Sequence, residues 1–318
     1  MITKPTKENL QTAANLLKSG ELVALPTETV YGLAANALNA KAVGKIFKLK
    51  QRSKTNPLIV HLKNYSEIKS ITGKLSNWQK NSLEKLKPFW PGPLTVVLPK
   101  SDNIPMETTA GASSVALRIP SDPIFQSVLE LIDFPLAAPS ANLSKKVSPT
   151  QAQHVEDEFG LELTILDGGN CQVGIESTVL SLLNDQASIL RPGLITKIEL
   201  EDQIGPINTG TNTTAQISPG QELVHYSPNT RIEFFDPNAD YTNIKAGLIT
   251  LKDQETDSRF IQQTALSQNG DLAEVAQALF ATIREFDKMN LDLILIERCE
   301  AEGIGAAIID RLNRATKK

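Results

Sequence analysis

Apolar residues along this chain fall into two alternating periods. Leu10, Ala13, Ala14 and Leu17 recur at helical spacing and stop at Gly20, which predicts an amphipathic helix closed by a glycine. ELVALP then reads as a strand ending at Pro26. A second helix is predicted from about Asn39, carrying Val43, Ile46 and Phe47 on adjacent turns, with Lys50 and Arg52 at its fraying C-terminal end. Farther on, PLIVHL, LTVVLP, SVALRIP, PLAAP, LTILD, STVLSLL and ASILRP are short apolar or alternating runs bounded by Pro, Gly, Asn and Asp, the pattern of strands. Helical spacing returns in SNWQKNSLEKL, in DPIFQSVLELI with Asp122 as N-cap and Pro123 at the first position, and in TQAQHVEDEFG, stopped by Gly160. Such interleaving predicts an α/β (α+β) fold with mixed elements on one sheet.

Near Gly205 the pattern lapses. GPINTGTNTTAQISPGQE is rich in Gly, Pro, Thr and Asn and poor in large apolar residues, so it reads as a linker. Beyond it RIEFF, AGLITL and LDLILIE read as strands, and DLAEVAQALFATIREF as a helix with Asp271 and Glu274 placed as a capping box. The predicted organisation is an α/β domain over 1–205, a linker over 206–229 and a smaller α/β domain over 230–318.

Composition narrows the function classes. With 318 residues, 41% hydrophobic and 21% charged, the chain is an ordinary globular protein. Its net charge of -4 argues against a surface broadly devoted to nucleic acid, while leaving room for a local anion site. The N-terminal MITKPTKENLQTAANLL mixes charge into its apolar positions and reads neither as a signal peptide nor as a spanning helix, so a cytoplasmic protein is expected. Cys171 and Cys299 lie far apart, which argues against a disulfide framework or a cysteine-built zinc site. His61, His154 and His225 are equally scattered, so any metal is expected to arrive with a phosphate ligand.

Within this acidic chain, Lys48, Lys50, Arg52 and Lys54 alternate beside the apolar NPLIVHL. Like charges so close repel one another, so either they are a solvated helix end or something anionic sits among them. Three loops at strand ends gather hydroxyls and amides: Thr27 and Thr29; Ser140, Asn142 and Ser148; Ser177 and Thr178. Such residues favour turns for their own sake, yet strand ends are also where α/β sheets hold ligands. The phosphate loop G-x-x-x-x-G-K-[ST] is absent, and Gly303-Ile-Gly305 lacks a third glycine and reads as a helix start. A phosphate site would therefore need side chains, which Lys50, Arg52 and Lys54 supply. Arg118, inside the apolar SVALRIP, calls for a carboxylate or phosphate, from a ligand or from an internal acid. His61 closes PLIVHL either as a structural histidine or as part of a site.

These segments, LPTETVYGLAANA, the K-x-R of Lys50 and Arg52 with NPLIVH, FWPGPLTVVL, VALRIP, the S-x-N of Ser140 and Asn142, and GIESTV with ILRPG, together resemble the L-threonylcarbamoyladenylate synthase family over about Glu21 to Gly193. SPGQELVHYSP and GIGAAIIDRLNRA are similar to its two-domain form. The resemblance implies a YrdC-like twisted mixed sheet with helices, joined by a linker to a Rossmann-like domain. It also implies a nucleotidyltransferase that makes threonylcarbamoyl-AMP and pyrophosphate from L-threonine, bicarbonate and ATP, toward N6-threonylcarbamoyladenosine in tRNA.

Carried onto this sequence, the resemblance implies L-threonine contacts at Thr29, His61, Arg118, Ala138 and Ser177. It implies ATP contacts at Lys50, Arg52, Asn56, Ser114, Ser140, Asn142, Ser148, Arg191 and Tyr226, with Lys50 and Arg52 catalytic. Thr178 and Ser113 are the alternatives in register to Ser177 and Ser114. Mg2+ is expected to be held mainly by the phosphates, Arg118 to clamp the amino acid's carboxylate, and the linker with Tyr226 to close over the site. A downstream tRNA-modifying complex is expected to take the product, with weak or no direct tRNA binding. Two other readings are a noncatalytic RNA-binding module and a carbamoyl transferase of the hydrogenase-maturation kind, whose cysteine-rich zinc motifs this chain lacks.

Overall fold

A computed structural model describes residues 1–209 and 225–317; residues 210–224 of the expected linker lie outside the described residues. The described residues build two sheets. The larger has eleven strands in the spatial order Ile2–Thr3, Thr164–Leu166, Val23–Leu25, Gly32–Asn36, Leu136–Ala137, Ile59–His61, Ser114–Arg118, Leu94–Pro99, Thr178–Ser181, Ser188–Arg191 and Asn208–Thr209. It mixes parallel pairs, such as Ile59–His61 with Ser114–Arg118, and antiparallel ones, such as Leu94–Pro99 with Ser114–Arg118.

Both faces of this sheet are covered, as its sequence requires. In Gly32–Asn36, Leu33 and Ala35 join a core with Val43, Ile46 and Phe47 of the helix Ala40–Lys50. Ala34 points the other way, into a core with Leu17 of Lys7–Lys18 and Phe125 of Pro123–Glu130. Side chains alternate across a strand, so a strand apolar at every position needs a layer on each side. The expected cap forms at Asp122, whose side chain accepts from Ile124 and Phe125, and the helix expected to start near Asn39 is capped by that residue, which accepts from the amides of Lys41 and Ala42.

The second sheet has four parallel strands in the order Arg231–Phe234, Leu293–Ile296, Ala246–Lys252 and Gln262–Ser267. Helices Leu272–Asp287 and Ile304–Ala315 complete it, the latter starting after Gly303. One expectation fails in detail. Asp271 caps its helix, but the Glu274 carboxylate accepts from the Ser267 hydroxyl at 2.6 Å, and that hydroxyl accepts from the Asp271 amide at 3.1 Å. The serine thus takes the place of the reciprocal half of a capping box. Strands Gly32–Asn36 and Gln262–Ser267 were not legible as strands, because one is rich in Gly and Ala and the other, a polar edge, is QQTALS.

The two sheets share a core: Val30, Val147 and Ile175 from the first part pack with Ala276, Leu279 and Phe280 of Leu272–Asp287. Gly174 lets the backbones close. It sits at φ +77, and a Cβ there would lie 2.4 Å from the Gln277 Cα. Gly169 has a similar φ of +73 but open space around it. Gly169→Ala should therefore cost only the left-handed strain, roughly 1–2 kcal/mol, whereas Gly174→Ala should cost visibly more by forcing the helix away. Urea unfolding of both variants measures this, and equal losses would show that the contact contributes nothing.

Candidate active site

The sheet's register assembles a site at its strand ends. Ile59–His61 and Ser114–Arg118 run parallel with their last residues, His61 and Arg118, side by side, and Thr95 opposes Arg118 from the other flank. Over these ends lie the loops carrying Thr27 and Thr29, Ala138 and Ser140, and Glu176 and Ser177. Together with Arg52, Arg191 and His225 they line a cavity of about 50 Å³.

The basic run resolves into two populations. Lys48 and Lys54 are exposed, while Lys50 and Arg52 are buried. The helix Ala40–Lys50 ends in a left-handed residue, Gln51 at φ 51, so the chain turns inward rather than fraying into solvent. Lys50 Nζ donates to the carbonyls of Ser140, at 2.5 Å, and Asn142, tying down the S-x-N loop. Burial, and next the Arg52 charge, push the Lys50 pKa well below its ordinary value. Arg52 donates to the Asn56 carbonyl at 3.1 Å, to the Asn56 side-chain oxygen and to the Pro57 carbonyl at 3.0 Å.

Arg118 meets an internal acid. Its Nη2 lies 2.7 Å from Glu28 Oε1, an ionic contact rather than an aligned hydrogen bond, and the other Glu28 oxygen accepts from the Ser121 amide at 3.2 Å. Nη1 donates to Thr29 Oγ1 at 2.9 Å and Nε to the Gly92 carbonyl at 3.3 Å. Arg118 therefore lines the cavity with its charge balanced by Glu28, and its guanidinium is not presented as an unengaged fork. Beside it His61 Nδ1 sits 3.2 Å from the Ile59 carbonyl; burial, then Arg118, lower its pKa to about 3, so the ring is neutral near pH 7.

On the far wall Arg191 donates to the Ser177 carbonyl through Nε at 3.2 Å and Nη2 at 3.1 Å, and to the Ser177 hydroxyl at 3.2 Å. Ser177 Oγ is also 2.7 Å from Thr95 Oγ1, whereas the Thr178 hydroxyl donates away to the Ile195 carbonyl at 2.6 Å. Ser177 thus faces the cavity. Glu176 joins it there; burial opposes its ionisation, but Arg311, Arg191 and the Ser148 hydroxyl hold its pKa down at about 2.

All five positions expected to meet threonine, Thr29, His61, Arg118, Ala138 and Ser177, line this one cavity. Of the nine expected to meet ATP, Arg52, Ser140 and Arg191 do so; Lys50, Asn56, Ser114, Asn142, Ser148 and Tyr226 stand behind or away from the walls. Ser114 opens the strand that Arg118 closes, which sets the two roughly 13 Å apart. Ser113 is exposed, while Ser114 is buried. Tyr226 stacks on Phe280 at 5.3 Å in the second core, and its neighbour His225 lines the cavity instead. Sequence reasoning missed Glu28, Glu176 and His225; for the two glutamates the signal was present as lone acids within the otherwise uncharged PTETV and GIESTV. Among the described residues no group of three or more His, Cys, Asp or Glu gathers as a metal site. Nor is any described helix long and apolar enough to cross a membrane.

A family model described as "Telomere recombination" matches residues 15–193, and one described as "Threonylcarbamoyl-AMP synthase, C-terminal domain" matches 195–316. The threonylcarbamoyl-AMP synthase of Bacillus subtilis is 39% identical, with 95% of this chain and 91% of that protein covered. That of Pyrococcus abyssi is 37% identical over 96% of this chain and 94% of that protein. A crystal structure of P. abyssi Sua5 complexed with L-threonine superposes with a TM-score of 0.89 at 35% identity, covering 99% of this chain and 96% of that one.

The Arg118–Glu28 pair, with side chains 4% and 6% exposed, gives a direct test. Glu28→Gln should cost about 3 kcal/mol by leaving a buried cation uncompensated, and Arg118→Met in the same chain should recover most of that loss. Urea unfolding of the double-mutant cycle decides: strictly additive losses would mean the two charges do not interact.

Proposed function

The chain belongs to the threonylcarbamoyl-AMP synthase family in its two-domain form, and on that premise we propose that it is a nucleotidyltransferase forming threonylcarbamoyl-AMP and pyrophosphate from L-threonine, bicarbonate and ATP. The observation that carries this reading is the single cavity in which Thr29, His61, Ala138 and Ser177 share walls with Arg52, Arg118 and Arg191. Hydroxyls, a neutral imidazole and a small apolar side chain suit a small polar amino acid; clustered guanidinium groups suit phosphates.

The chemistry brings two anions together. The threonine amine loses a proton and takes up the carbon of bicarbonate as a carbamate, releasing water. A carbamate oxygen then attacks the α-phosphorus of ATP, and pyrophosphate leaves with the electron pair of the broken P–O bond. Repulsion between carbamate and triphosphate, and the charge growing on the leaving group, set the barrier, so positively charged groups fixed beforehand contribute most. Arg52 and Arg191 line the cavity where that charge develops. Lys50 acts from behind by fixing the Ser140 and Asn142 carbonyls. Arg118 orients the amino acid through the Thr29 hydroxyl it holds, with Glu28 balancing its charge. Neutral His61 serves as a contact rather than a cation.

Mg2+ fits this site as the partner of ATP. The nearby carboxylates are engaged, Glu28 by Arg118 and Glu176 by Arg311 and Ser148, so neither is offered as a metal ligand. When bound, the ion neutralises phosphate charge. The water-accessible space of the cavity is small beside the two substrates, and His225, at the end of the expected linker, lines it. We assign the protein to the cytoplasm, with its labile product passed to a tRNA-modifying transferase complex and weak or no tRNA binding of its own.

Pyrophosphate release measured with ATP, threonine and bicarbonate, omitting each in turn, tests the assignment: release should require all three. Release indifferent to threonine would overturn it, and tight, salt-sensitive tRNA binding without turnover would favour a noncatalytic RNA-binding protein. Lys50→Ala and Arg52→Ala should each lower kcat/KM for ATP by about 10- to 100-fold, the worth of one or two charged hydrogen bonds. Unchanged values would remove both residues from the nucleotide site.

A further inference from the structure

We propose that Arg311, on the last helix of the second domain, is a positioning residue for the nucleotide side of the site, holding Ser148 and Arg191 through Glu176 and Pro192. Arg311 is completely buried. Its Nε donates to Glu176 Oε2 at 3.0 Å, its Nη2 to the Glu176 carbonyl at 3.3 Å, and its Nη1 to the Pro192 carbonyl at 2.7 Å. Asp310, one residue before it, steadies Nη1 at 2.9 Å. Each group grasped in the first domain adjoins a cavity residue: Glu176 precedes Ser177, and Pro192 follows Arg191. The second Glu176 oxygen accepts from the Ser148 hydroxyl at 2.6 Å. One planar cation therefore bolts together two separate loops, and Arg191 joins the same loops from the cavity side through the Ser177 carbonyl.

Charge gives the arrangement a second consequence. Glu176 lines a cavity that, in the reading above, accepts a triphosphate, and a bare carboxylate there would repel it with little screening. Arg311 supplies the compensating charge from outside the cavity, where it does not compete for the ligand. Losing Arg311 should thus loosen the two loops and also confront ATP with an uncompensated acid. At the threonine end Arg118, Thr29 and His61 are held by other contacts, and of the positions assigned to threonine Ser177 is the one on a gripped loop, so that end should be disturbed less. That asymmetry separates positioning from general destabilisation.

The inference rests on ATP occupying this cavity, but its structural half does not. Hydrogen exchange on the ligand-free full chain is therefore read alongside kinetics for Arg311→Gln, Arg311→Lys, Glu176→Gln and the double variant Arg311→Gln with Glu176→Gln. In Arg311→Gln, amides of 174–178 and 191–195 should exchange faster while the distant strand Val23–Leu25 stays protected. The KM for ATP should rise by about 30-fold and that for threonine by less than about 3-fold. Adding Glu176→Gln should recover most of the ATP loss, because the offending charge is gone. Arg311→Lys, which keeps charge but not the fork, should fall between wild type and Arg311→Gln. Unchanged exchange in the two loops overturns the proposal, as does an equal rise in both KM values or a double variant no better than Arg311→Gln. Should the wild-type chain release no threonine-dependent pyrophosphate, the functional reading fails on its own and the exchange result decides this one.

Discussion

The organising constraint here is the burial of positive charge. Lys50, Arg52, Arg118, Arg191, Arg284 and Arg311 are all nearly inaccessible to solvent. A buried cation is tolerated only when its donors are met, so each dictates the conformation of the chain around it. Lys50 and Arg191 are met by carbonyls of the loops they hold, whereas Arg118, Arg284 and Arg311 face the carboxylates of Glu28, Glu158 and Glu176. The distinction matters for binding. Carbonyls orient a cation without cancelling its charge, so the wall that includes Arg191 keeps its attraction for an anion, while Arg118 is nearly neutral with its partner.

The same constraint ties the two sheets into one functional unit. Arg284 reaches from Leu272–Asp287 to the carbonyls of Val147 and Ser148 and to the Glu158 carboxylate, at 2.9 Å for the last. Arg311 reaches from Ile304–Ala315 to Glu176 and Pro192. Both helices thereby grip loops that carry hydroxyls of the candidate site, and Gly174 admits the backbone contact between them. Apolar burial alone would favour docking of the domains without specifying their register; directional donors set it.

What the sequence determined by itself was local. Helical spacing, alternation, a helix start near Asn39, a cap at Asp122 and stops at Gly20 and Gly160 depend on neighbours a few residues away, and the elements they announce are present. The motifs around Lys50, Arg118, Ser140 and Ser177 carried the family resemblance for the same reason, being contiguous stretches with fixed internal spacing. What only the tertiary structure decided was which side of each residue faces what. That His61 stands beside Arg118 follows from strand register; that Glu28 neutralises Arg118, that His225 rather than Tyr226 faces the cavity and that Arg311 reaches Glu176 follow from chain crossings over long separations. Periodicity says which positions are buried, but the partner of a buried charge is chosen by the distances and dielectric of the assembled fold, and these exist only once remote segments have met.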